Sequence, residues 1–256
     1  MSVLLPKIIL IFLLSLSLGT ALFSWIADPK LTGAGFMRLI TGHGFIFLAL
    51  GLLLGFIFDA QFGASWWVLP GILMLILGAQ WKFHPDHRTP VMWTLFGVQV
   101  LLTLAFYFIS SGGPVSFFFL FSSAFFLGVT HYAMLLGHYY LVVPKLTERP
   151  LLVCMKVFWT TLAIKMAFSF WGTWEAGAYL VEGTTLGDGF TFNWLVVSMR
   201  WLWGYGALAV LSWFAWRLCR MRSIQSATGV LYIMVFFVFI GELLSTYLYL
   251  KHGLAI

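Results

Sequence analysis

Residues Val115 to Val143 read VSFFFLFSSAFFLGVTHYAMLLGHYYLVV. A bilayer core of about 30 Å needs roughly 20 apolar residues at about 1.5 Å each. This run exceeds that length. Its most polar members are His131 and His138. They are seven residues apart, and seven steps of about 100° return them to one helix face. Imidazole in hydrocarbon needs a partner, so a membrane histidine is by default a candidate functional residue.

The rest of the chain has the same character. Its 256 residues are 62% hydrophobic and 9% charged, with a mean hydropathy of +0.99. Soluble domains carry about 25% charged residues. The composition implies an all-α, polytopic integral membrane protein, with residues 1–256 forming one transmembrane helical bundle. Hydropathy predicts eight spans, at about 3–27, 34–58, 64–81, 91–110, 115–143, 151–174, 191–218 and 225–250. The first could pass for a signal peptide, but its apolar run is long, and it is expected to be an uncleaved span. Turn chemistry marks the breaks: Asp28-Pro29, the Phe62-Gly63 region, His84-Pro85-Asp86, Gly112-Gly113-Pro114, Pro144 and Pro150.

The net charge of +6 invites a nucleic-acid reading, but its placement argues for topology. Lys30, Lys82, Arg88, Lys145, Arg149, Arg217, Arg220 and Arg222 fall in four alternate loops. The opposite loops carry Asp59, then Glu175, Glu182 and Asp188. Under the positive-inside rule this alternation predicts an N-out, C-out topology and no nucleic-acid partner. The lipid bilayer is the first partner expected. Cys154 and Cys219 form no CxxC or CxxCH motif, which argues against iron–sulfur clusters and covalently attached haem. Both fall at inner helix ends, where a disulfide is not expected. Trp171, Trp174 and Trp194 rim the longest outer connection as an aromatic belt would.

Sorting polar residues by depth gives two layers. His43 and His131 lie at similar distances, 15 to 16 residues, from the same predicted face. Two imidazoles at one depth on two helices are what a b-type haem needs, one on each face of the iron. His43 and His131 are therefore the expected metal ligands, with His138 as the alternative. Gly42 and Gly44 flank His43, and Gly128 stands three residues before His131. These glycines would leave room for a macrocycle, or else serve close packing of helices, as the Gly44, Gly51, Gly55 seam suggests. His84 and His87 form an HPDH turn. That motif has too few ligands to specify a metal site and reads as a solvated loop.

The second layer comprises Arg200, Glu242 and Lys165, each eight to ten residues from the outer end of its span. Unpaired, each would cost at least about 2.5–3.5 kcal/mol. An Arg200–Glu242 pair with Lys165 nearby removes much of that cost. Ser245, Thr246 and Tyr249 extend the Glu242 face. The layer is either an ion pair holding three helices together or a site for quinone, an anion or a proton.

Trp171-Gly172-Thr173-Trp174 resembles the start of the tryptophan-rich motif of the haem-handling proteins of cytochrome c biogenesis. Glu175-Ala176-Gly177 then departs from it, so no residue role carries over. The leading expectation is a respiratory-type electron-transfer subunit of a bacterial inner membrane, binding haem b and quinone and working with a partner subunit. The alternatives are a proton-coupled transporter or channel for a small solute, and a non-catalytic assembly subunit.

Overall fold

The computed structural model describes residues 4–27, 32–58, 62–83, 90–143 and 146–256. Asp28-Pro29, Lys30, Asp59, the His84–His87 turn, Arg88, Pro144 and Lys145 lie outside the described residues. Eight helices are long and apolar enough to cross a membrane: α1 Leu4–Leu22, α2 Ala34–Ile57, α3 Ser65–Phe83, α4 Pro90–Ser110, α5 Pro114–Val142, α6 Arg149–Glu175, α7 Phe190–Arg220 and α8 Ile224–His252. Among the described residues there is no strand. The protein is an all-helical, multi-pass membrane protein.

Helices α1 and α5 are apolar on every side, and such helices belong inside a bundle. They are the two most enclosed of the eight. Helix α1 packs against α2, α5 and α8, while α5 packs against α1, α8 and α6. Where α1 crosses α5, Gly19 meets Gly128 backbone to backbone. A Cβ at Gly128 would stand 2.6 Å from the Gly19 Cα, and one at Gly19 would collide with the Ala124 carbonyl. Small residues permit this approach, which in lipid is a main source of helix affinity. Gly128 is thus used for helix packing. The Gly44, Gly51, Gly55 seam also serves packing, with Gly44 against Ser17 and Gly51 and Gly55 against Leu10 of α1.

Serines of α1 find partners on neighbouring helices, as buried hydroxyls must. Ser17 Oγ donates to the Gly44 carbonyl at 2.5 Å, and Tyr107 Oη donates to Ser15 Oγ at 3.2 Å. Helices α3 and α4 form an outer hairpin on α2 and α5, tied by Gln80 Nε2 donating to Gln99 Oε1 at 2.7 Å. Both cysteines are free and buried.

Helix α7 is not regular throughout. Leu202–Ala207 forms a π-type turn between two α-helical parts, Phe190–Trp201 and Leu208–Arg220. Its Gly204 lies against Gly241 of α8. Helix α8 ends at Gly253, whose left-handed φ of 71° and i−6 bond from Leu254 N–H to the Leu248 carbonyl form a Schellman-type cap. The cap turns Gly253–Ile256 back along the bundle, where Ser245 Oγ donates to the Ile256 carbonyl. The α6–α7 connection is also ordered. Asn193 Nδ2 donates to the carbonyls of Tyr179 and Leu186, both at 2.9 Å, and its Oδ1 accepts from Asp188 N–H at 3.1 Å.

Candidate functional site

The bundle has two polar centres. In the first, α2 and α5 both pack along α1, which sets their spacing, and His43 and His131 come to face one another. Their ring centroids are 5.9 Å apart, with ring planes at 55°. His43 Nδ1 lies 2.8 Å from the Leu39 carbonyl, one turn back on its own helix. A bond of that kind fixes the ring and leaves Nε2 for another partner, as in histidines that ligate metals. His131 is buried, and neither of its ring nitrogens has a hydrogen-bond partner. A buried imidazole with both nitrogens unsatisfied costs about 1–3 kcal/mol for each group. Its neighbours are Phe47, with centroids 5.6 Å away, and Phe239 at 6.5 Å.

His43 and His131 are the residues that would hold an ion between them. With metal–nitrogen bonds of about 2 Å on each side, two imidazoles sharing an ion have centroids roughly 6 Å apart. The unsatisfied His131 nitrogens would supply one of the two donors. Among the described residues no group of three or more His, Cys, Asp or Glu side chains could hold a metal. His138 is not part of it. That side chain is exposed, and its Nδ1 lies 3.0 Å from Tyr232 Oη on α8.

The second centre joins α5, α6, α7 and α8. Lys165 Nζ is 2.8 Å from Glu242 Oε2, and Arg200 Nη2 is 3.1 Å from Glu242 Oε1. Arg200 and Glu242 are fully buried and Lys165 is 3% exposed. They are the only charged side chains in the interior among the described residues. Ser123 Oγ accepts a second bond from Lys165 Nζ at 2.8 Å. Arg200 Nη2 donates to Tyr205 Oη at 2.6 Å, and Tyr205 Oη shares a 2.5 Å hydrogen bond with Ser169 Oγ. The π-type turn makes this possible. It adds a residue to the helical turn after Arg200, so Tyr205 comes back over the guanidinium, 4.3 Å from ring centroid to Cζ. Gly204 and Gly241 give the guanidinium its space, since a Cβ on either would stand 3.0 or 2.9 Å from Arg200 Nη1.

The predicted layer of Arg200, Glu242 and Lys165 is thus one connected cluster. Sequence reading missed Ser123, Ser169 and Tyr205. Ser169 lies one helical turn after Lys165, and Tyr205 sits between Gly204 and Gly206, a Gly-Tyr-Gly step unusual inside an apolar span. A cavity of about 600 Å³ lies between the start of α5, the end of α6 and the Gly253–Ile256 tail, and Lys165 and Ser169 are in its lining. Of the Glu242 face, Thr246 Oγ1 donates back to the Glu242 carbonyl at 2.7 Å, and Tyr249 stacks on Phe119 at 4.4 Å. Trp171, Trp174 and Trp194 are exposed at the bundle end that bears the α6–α7 connection. No family model matches this chain, and no curated protein or solved structure matches it either.

Proposed function

We propose that the chain is an integral membrane electron-transfer subunit that holds b-type haem through His43 and His131 and exchanges electrons with a membrane quinone. The observation that carries this reading is the facing imidazole pair, 5.9 Å between centroids, with both nitrogens of the buried His131 unpartnered. The haem would supply reversible one-electron carriage at this depth. The chain's own part is to orient His43 through the Leu39 carbonyl, and to keep the centre dry with Phe47 and Phe239. The quinone belongs at the cavity over Lys165, whose walls are apolar and whose lining includes a hydrogen-bond donor.

A partner subunit that exchanges electrons with the haem is part of the proposal. So is a bacterial-type inner membrane with N-out, C-out topology. Supporting the orientation, Arg38, Lys82, Arg149, Arg217, Arg220 and Arg222 lie at one bundle end with Glu148, and Glu175, Glu182 and Asp188 at the other with Lys7 and Lys251. Haem extraction and iron analysis of the purified protein test the central point. Stoichiometric haem in the wild type and its loss in His131→Ala support it, and haem-free, folded wild type after haem supplementation rejects it.

One observation favours a second reading. The π-type turn lies directly after Arg200, and interrupted helices near buried charges mark substrate sites in transporters. In that case Glu242, Arg200 and Lys165 would couple solute movement to protons. Uptake into vesicles that Glu242→Gln abolishes, by a protein without a visible chromophore, would establish it.

A further inference from the structure

The buried cluster is not charge-balanced. Lys165 and Arg200 are two cations against the single carboxylate of Glu242. No other charged side chain is buried among the described residues. A lone charge in the interior costs several kcal/mol even after relaxation. The donors are unbalanced in the same sense. Arg200 Nε and Nη1 are buried and have no hydrogen-bond partner, against one unpartnered buried acceptor, Glu242 Oε1. An ammonium has three N–H bonds; Lys165 gives two, to Ser123 Oγ and Glu242 Oε2, and otherwise meets only the Phe119 and Phe126 rings, 5.7 and 6.0 Å from Nζ. Lys165 also lines the cavity of about 600 Å³, in the size range of a cofactor or drug-sized ligand. Phe118, Phe119, Phe168 and Trp171 give that cavity apolar walls; Ser169 also lines it, with its hydroxyl bonded to Tyr205 Oη. The acidic side chain in the lining, Glu175, is exposed at the end of α6. It lies ten residues from Lys165, about 15 Å along the helix.

We propose that this cavity takes a ligand with an apolar body and one anionic oxygen, seated on the free N–H of Lys165. The anion would bring the cluster to neutrality, and the aromatic walls would hold the body. The inference rests on the quinone part of the proposed function and deepens it by naming the charge the occupant carries. It does not depend on haem at His43 and His131.

The test is direct binding to the full-length protein in detergent, monitored by tryptophan quenching and by displacement. Three probes are compared: 2-hydroxy-1,4-naphthoquinone, which is an anion at neutral pH, uncharged 2-methyl-1,4-naphthoquinone, and decanoate. The ionised quinone is expected to bind at least about tenfold more tightly than the uncharged one, the scale of one hydrogen bond to a charged group. Lys165→Met should reduce that preference below about threefold. Decanoate competing with the ionised quinone also upholds the anion site and points to an acyl carboxylate as the natural occupant. Equal binding of charged and uncharged quinones overturns the inference and leaves the quinone reading standing. Binding of none of the probes overturns both. Should Lys165→Met fail to fold, the wild-type comparison of the probes decides alone.

Discussion

Arg200 Nη2 donates to Tyr205 Oη at 2.6 Å, and the same ring lies 4.3 Å from the guanidinium carbon. Five residues separate the two, and the π-type turn of α7 closes that gap. Tyr205→Phe keeps the ring contact and removes the acceptor. A buried guanidinium that loses one hydrogen-bond acceptor while keeping its Glu242 ion pair is destabilised by about 1–3 kcal/mol. The expected result is a lower melting temperature in detergent and faster hydrogen exchange in α7 around Leu202–Ala207. Unchanged exchange there would mean that the hydroxyl does not hold the turn.

The three charges differ in what their removal leaves behind. Glu242→Gln leaves two buried cations without a counter-charge, and breaking a buried pair in this way costs about 3–5 kcal/mol. Lys165→Met leaves the neutral Arg200–Glu242 pair, so its cost should stay under about 2 kcal/mol despite the loss of two hydrogen bonds. Thermal unfolding of the two variants side by side gives the ranking. A greater loss in Lys165→Met would contradict an excess of positive charge in the cluster.

Gly128 and Gly97 provide a matched pair of substitutions. A methyl at Gly128 meets the Gly19 backbone, whereas one at Gly97 meets nothing within 4 Å. Gly128→Ala must push α1 and α5 apart, at a cost of about 1–3 kcal/mol for overpacking. Gly97→Ala should be neutral, or stabilising by up to about 1 kcal/mol through helix propensity. Detergent melting curves check both.

At the bundle end that bears the α6–α7 connection, Asp188 accepts hydrogen bonds from Lys251 Nζ at 2.5 and 2.6 Å and from Tyr247 Oη at 2.6 Å. These donors hold its carboxyl below the usual aspartate value of 3.8, with the Lys251 bond the largest cause. A lowered folded-state pKa means that the contribution is fully present above the ordinary aspartate range. It is lost as pH falls through the lower, folded value. Protection of residues 177–189 against proteolysis should therefore hold at neutral pH and fall at strongly acid pH. Asp188→Asn should show low protection at every pH.

The eight spans were readable because each is a long apolar run ended by Gly, Pro or charge, and every observed helix overlaps its predicted range closely. The co-depth of His43 and His131, and of Arg200, Glu242 and Lys165, was readable by counting residues from the span ends, since helical rise is constant. Which face each helix turns to its neighbour was harder. Hydrophobic residues cover all sides of α1 and α5, so no apolar stripe marks the inside. The Gly19–Gly128 crossing and the Gln80–Gln99 bond depend on such facing and were not foreseen. The π-type turn was only faintly legible, for a different reason. One added residue changes no hydropathy average, and only the Gly-Tyr-Gly step at 204–206 hints at it.

His43 and His131 carry the functional proposal, and the difference spectrum of the purified protein, dithionite-reduced minus oxidised, tests them most directly. Axial ligation by both imidazoles predicts a Soret band with the sharp visible bands of a low-spin b-type haem, lost in His43→Ala and in His131→Ala while both variants still melt cooperatively. Folded wild-type protein with no Soret band, or a haem spectrum unchanged in both variants, would contradict it.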